Sequence, residues 1–305
     1  MKDFKRLNGM IAATFTPMKK NGDINYDEIK VYADYIASTN IEGVFVNGTT
    51  GEFASLTVEE RKLILEAWIA AADSRFKVIC HVGSNCQRDS IELAAHAACC
   101  GAYGLGCIAP SFFKPATVEA LVNFFSPIAA AAPELPFYYY NMPSMTGVSL
   151  PVDKFLTEGR KAIPNLAGTK FTHNNLMEMC ECINLDGGAF EVLHGFDEIL
   201  TCGLAIGAEA GVGSTYNYIP DVYAGIFKSM RAGDLQKARE LQLLSVKAVE
   251  VIIKYGGGVR GGKAIMNLIG VNCGECRPPF APMTQEEYAS LRTDLENLGF
   301  VKLNS

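Results

Sequence analysis

Met10-Ile-Ala-Ala-Thr-Phe-Thr-Pro17 is the first apolar run of the chain, and what its end lacks separates two architectures. A doubly wound sheet built to hold a nucleotide follows its first strand with a glycine-rich phosphate turn. This run ends Thr14-Phe-Thr-Pro17 and has no such turn. Further short β-rich runs fall at 43–47, 77–82, 104–109, 136–141, 166–171, 191–194 and 210–213. Most are continuously apolar rather than alternating, as strands covered on both faces require. Amphipathic stretches separate them at 27–38, 58–72, 90–100, 118–132, 152–158, 175–183 and 198–207. The second follows Thr57 and carries Glu60 three residues on, the pattern of a capping box. Eight such alternations predict a closed (β/α)8 TIM barrel rather than an open sheet.

After Ile219-Pro220 the β signal stops. Helical patterns follow at 221–231, 235–255, 263–269 and 285–298, interrupted by Gly256-Gly-Gly258 and Pro278-Pro279. The expected organisation is a barrel over residues 1–220 that carries the active site and a C-terminal helical region over 221–305.

The 305 residues are 49% hydrophobic and 20% charged, enough to build a core, and no apolar run approaches the length of a membrane span. A net charge of −6 argues against nucleic-acid and anionic-membrane partners. No signal sequence is evident at the N-terminus, and ten scattered cysteines read as reduced thiols, so the expected location is the cytoplasm. Cys273-Gly-Glu-Cys276 lacks the second pair or histidine that would complete a structural zinc site, and no metal is expected.

Barrel enzymes react at the carboxyl ends of their strands. Lys170, in Leu166-Ala-Gly-Thr-Lys-Phe-Thr172, ends the sixth run among small and apolar residues. An ordinary lysine has a pKa near 10.4, and desolvation lowers it toward the neutral amine that attacks ketones. The plain alternative is a lysine reaching solvent from a strand end. In Phe137-Tyr-Tyr-Tyr-Asn-Met-Pro143, alternation places Tyr138 and Tyr140 on one face and Tyr139 on the other, and Tyr140 is best placed to present a phenol at the mouth. Gly48-Thr-Thr-Gly-Glu52 offers Thr49 and Thr50 to a small anion, or is a turn before a helix. Asp197 and Glu198 in His194-Gly-Phe-Asp-Glu198 suit either the first turn of a helix or the hydroxyls of a sugar-like ligand. Ser214 and Thr215 add hydroxyls after the eighth run, while His81 and His194 read equally as structural or functional. One amine, one phenol and several hydroxyls at one rim suit carbonyl chemistry through a Schiff base, with neither cofactor nor metal.

At these residues the chain resembles the dihydrodipicolinate synthase/N-acetylneuraminate lyase family of pyruvate-dependent aldolases, over nearly its whole length. The resemblance implies that Lys170 forms the Schiff base, that Tyr140 is the catalytic tyrosine with Thr49 beside it as a catalytic member of the proton relay, and that Thr49 and Thr50 hold the pyruvate carboxylate. Thr172, Gly195, Asp197, Glu198 and Ser214 fall where the sialic acid lyases of the family bind the polyol of their substrate. Met145 stands where dihydrodipicolinate synthases carry an arginine for a second carboxylate, which points away from an anionic partner. Ala129–Tyr140 and Lys263-Ala-Ile-Met266 look especially like the animal-type lyases. Ser111-Phe-Phe113 departs from the family, since many relatives place there a tyrosine that reaches a neighbouring subunit. The implied activity is reversible cleavage of a sialic acid to an N-acylated sugar and pyruvate by a homotetramer. Another pyruvate-dependent aldolase, or a non-catalytic binder of sialic acid or pyruvate, is the alternative.

Overall fold

The computed structural model describes residues 4–299 and 303. Eight parallel strands close on themselves in sequence order, β1 pairing with β2 on one side and β8 on the other. They are β1 Gly9–Ala13, β2 Ile41–Val46, β3 Lys77–His81, β4 Gly104–Ile108, β5 Phe137–Asn141, β6 Leu166–Phe171, β7 Glu191–His194 and β8 Ala210–Gly213. The outer layer is α1 Tyr26–Ala37, α2 Val58–Ala72, α3 Gln87–Cys99, α4 Val118–Ala130, a single turn α5 Pro143–Thr146, α6 Val152–Ala162, α7 Leu176–Asn184, α8 Leu200–Ala205 and α9 Pro220–Ala232. Helices α10 Leu235–Lys254, α11 Gly257–Ile269 and α12 Gln285–Leu298 follow. The (β/α)8 TIM barrel with C-terminal helices is therefore the fold. The boundary expected at residue 220 falls on the first residue of α9, which packs against α8 and β1.

Two apolar layers follow from the strand alternation. Ile11, Phe45, Ile79, Tyr138, Tyr140, Leu193 and Val212 fill the barrel interior. Tyr139, Phe125, Phe155 and Leu166 pack between the strands and the helices. This is the split of the three consecutive tyrosines that alternation demands. The capping box at α2 is closed: Thr57 Oγ1 accepts from Glu60 N at 3.2 Å, and Glu60 Oε2 accepts from Thr57 N at 2.9 Å.

The glycine run 256–258 does not end a helix and leave a gap before 263, as its composition suggests. The break spans Gly256 and Gly257, whose φ of +93° and +86° glycine adopts readily, and α11 begins at Gly257 itself. The helix is thereby extended toward the barrel mouth. No helix among the described residues is long and apolar enough to cross a membrane.

Candidate active site

A cavity of about 370 Å³ opens at the carboxyl ends of the strands. Its wall includes every predicted site residue: Thr49, Thr50, Tyr140, Lys170, Thr172, Gly195, Asp197, Glu198 and Ser214. A larger hollow of about 840 Å³ lies at the opposite, amino-terminal end of the barrel, lined by residues such as Asn8, Arg75 and Arg231. It holds none of the candidate groups, so the smaller cavity is the candidate site.

Lys170 enters the interior through an irregularity of the sheet. Leu166 pairs with Phe137, but Gly168 pairs with Tyr138, so Ala167 is an extra residue in β6. Strict alternation from outward-facing Leu166 would turn position 170 outward as well. The inserted residue reverses the parity, and Lys170 pairs with inward-facing Tyr140. Gly168 permits this close passage: a Cβ there would lie 1.8 Å from the Glu191 carbonyl oxygen.

Once inside, Lys170 is buried, with Nζ 4.1 Å from the centre of the Tyr140 ring and 4.4 Å from that of Phe45. Among the described residues it has no ion-pair partner. The Tyr140 hydroxyl lies 3.2 Å from Thr49 Oγ1 and 3.1 Å from Met142 Sδ. An amine, a phenol and a threonine hydroxyl thus meet at the cavity floor.

The opposite wall is acidic and held from behind. Asp197 is buried, and its Oδ2 accepts from Thr215 N at 2.9 Å and Thr215 Oγ1 at 2.6 Å. Its Oδ1 is buried without a partner, as is Thr172 Oγ1. Buried polar atoms are ordinarily satisfied, and among the described residues nothing satisfies these two. Burial pushes the Asp197 carboxyl up to about 6, against the lowering effect of the Thr215 hydrogen bonds; Glu198 raises it further and Lys170 lowers it. Helix α10 fixes this turn, because Gln242 Nε2 donates to the Asp197 carbonyl at 3.0 Å and Gln242 Oε1 accepts from Thr201 N at 2.8 Å. Gly195 must be glycine here, since a Cβ would sit 2.1 Å from Thr172 Oγ1.

Several contributors were invisible to motif reading. Val249, Ile252 and Ile253 of α10 and Gly258 and Val259 of α11 form an apolar side of the cavity. They come from the region beyond the last strand, where no local signal marks a site. Met145 stands at the rim, 62% exposed, with no charge to offer an anion. His81 is structural: burial holds its pKa well below the usual range, and its Nδ1 lies 2.8 Å from the Asn47 carbonyl. His194, lowered to about 4 by burial, faces the outer layer beside Met179. Burial pushes the thiols of Cys273 and Cys276 up, the latter to about 12, which disfavours thiolate chemistry.

The model of the dihydrodipicolinate synthetase family matches residues 6–298. The chain belongs to this family. It is 42% identical over 298 residues to an N-acetylneuraminate lyase of Gallus gallus, covering 96% of this chain and 97% of that one. Among solved structures it is similar to the Proteus mirabilis N-acetylneuraminate lyase, with a TM-score of 0.94 and 37% identity over 97% of this chain and 100% of the other. The Aliivibrio salmonicida N-acetylneuraminate lyase gives a TM-score of 0.95 at 36% identity, covering 98% of this chain and 99% of that one.

Proposed function

We propose that this family member is an N-acetylneuraminate lyase, cleaving N-acetylneuraminate reversibly to N-acetylmannosamine and pyruvate through a Schiff base on Lys170. The observation that carries the reading is the meeting of the buried Lys170 amine with the Tyr140–Thr49 hydroxyl pair on one side and the Asp197–Glu198 wall on the other. A small-molecule substrate fits a cavity of this size.

Cleaving C3–C4 of a 2-oxo acid directly would leave an unstabilised carbanion at C3. Lys170 Nζ adds to the C2 carbonyl instead, and loss of water gives an iminium. Removal of the C4 hydroxyl proton, assisted by Tyr140, lets the C3–C4 bonding electrons flow into the iminium. N-acetylmannosamine leaves as the aldehyde and the enamine remains. Protonation at C3 and addition of water then release pyruvate and regenerate the amine. Thr49 and Thr50 hold the carboxylate through hydroxyl and backbone N–H groups. Asp197, Glu198, Thr172 and Ser214, with the Gly195 backbone, receive the polyol chain. Helices α10 and α11 complete the cavity wall rather than supply reacting groups. The assembly we propose is a homotetramer in the cytoplasm, on the family resemblance; analytical ultracentrifugation measures the first.

Borohydride reduction in the presence of pyruvate, followed by peptide mass analysis, tests the chemistry. A pyruvyl adduct on the Lys170 peptide is expected, absent in Lys170→Ala. An adduct elsewhere, or none, removes the mechanism. A coupled assay for N-acetylmannosamine release across a panel of 2-oxo acids tests the substrate, and indifference to N-acetylneuraminate would overturn that part alone.

A further inference from the structure

We infer that Glu52 and Lys263 form a positioning pair, by which the C-terminal helices hold the Thr49–Thr50 turn in the geometry that binds the 2-oxo acid carboxylate. The inference rests on the role proposed above for that turn. Lys263 Nζ donates to Glu52 Oε1 at 2.8 Å, and both side chains are only 1% exposed. The other carboxylate oxygen, Oε2, accepts from Arg277 N at 2.9 Å, and Lys263 Nζ donates also to the Glu275 carbonyl at 2.9 Å. Each end of the pair is therefore also held by a backbone group of the C-terminal region.

The connection to the turn is direct. Glu52 N donates to the Thr49 carbonyl at 3.0 Å, and Phe53 N to the Gly48 carbonyl at 3.2 Å. Glu52 itself holds a φ of +58°, a left-handed conformation that a residue with a side chain avoids. Such a conformation persists where its surroundings over-determine it. The surroundings here are the two hydrogen-bonded anchors on its carboxylate. Without them the residue can relax toward ordinary φ, and the Thr49 carbonyl it bonds moves with it.

Helix geometry links the pair to the cavity as well. Val259 and Lys263 are four residues apart in α11 and so share a face. Val259 lines the cavity, and Lys263, one turn on, reaches Glu52. A buried ion pair is a poor way to gain stability, because desolvating both charges offsets their attraction. Its retention at this place is explained by the geometry it imposes on the turn.

The test compares Glu52→Gln, Lys263→Met and the double variant with the unaltered protein in the condensation direction. Pyruvate and N-acetylmannosamine are varied separately, borohydride trapping is titrated with pyruvate, and melting temperatures are recorded. Either single variant leaves a buried charge or dipole unmatched and melts lower; the double variant, with both charges gone, recovers most of that loss. Displacement of the carboxylate-binding groups raises half-saturation by pyruvate about tenfold or more, in trapping as in turnover, and in the double variant too. The KM for N-acetylmannosamine, which meets the other wall, stays within about twofold. A folded variant with unchanged pyruvate half-saturation, or one in which both substrates weaken equally, overturns the inference. A double variant that fails to fold also overturns it, since the pair then serves the fold. If the unaltered protein is trapped by pyruvate but condenses no sugar, the sugar assignment has failed, and the trapping titration still decides the role of the pair.

Discussion

Replacing Asp197 by Asn should make the protein more stable at high pH and leave it little changed at low pH. Burial raises this carboxyl from the usual 3.8 to about 6. The folded state therefore binds a proton more tightly than the unfolded chain does. The stability this gives is fully present below pH 3.8 and is lost as pH rises through about 6. The whole displacement of about two pH units corresponds to roughly 3 kcal/mol. Between pH 5 and pH 8 the linkage relation gives a loss of about 1.4 kcal/mol, which an uncharged Asn escapes. Its side-chain oxygen can still accept from Thr215 N and Oγ1, so the local hydrogen bonds survive. The stability of Asp197→Asn minus that of the unaltered protein should therefore grow by about 1.4 kcal/mol from pH 5 to pH 8, or about 2 °C in melting temperature for a chain this long. Taking the difference cancels every other titrating group. Denaturation at the two pH values, with activity followed in parallel, measures it. A difference that is constant with pH, or shrinks as pH rises, would refute the account of Asp197 as a carboxylate held against its preference for water. A gain in stability accompanied by a loss of turnover is the expected pairing, given the ligand-binding role proposed for Asp197.

Thr215→Val removes a hydrogen bond that lowers the Asp197 pKa, so the pH at which stability is lost should move up; denaturation across pH 5–8 reads the shift. Gly168→Ala places a methyl 1.8 Å from the Glu191 carbonyl and must move backbone, so destabilisation of roughly 3 kcal/mol or more is expected, with weaker pyruvate trapping at Lys170. A normal melting temperature there would contradict the close strand passage. Tyr140→Phe removes the hydroxyl that meets Thr49 and should lower kcat by about a hundredfold or more while the protein still melts normally. Retention of near-normal kcat would take Tyr140 out of proton transfer.

Much of the site was legible because barrel enzymes concentrate chemistry at one end, so each unusual residue could be examined at a known place in the repeat. Thr49, Tyr140, Asp197 and Ser214 end or follow strands, and all line the same cavity. Residues whose contribution depends on a partner far along the chain were not legible as such. Glu52 reads locally as the end of a turn and Lys263 as one position in a helix, yet they are separated by 211 positions and meet with no water between them. The apolar wall from α10 and α11 escaped for the same reason, as nothing in an amphipathic helix says which cavity its apolar face will close.

The order of strands and helices, the inward turn of Tyr140 and the collection of polar groups at one rim follow from local patterning, because period and turn chemistry are properties of neighbouring residues. The facing of Lys170 does not. Counted from Leu166 by simple alternation it would point at the helices, and only the extra residue at Ala167, fitted against β5 and β7 as the barrel closes, turns it inward. A register shift is a relation between strands, and it exists only once the neighbouring strands are in place.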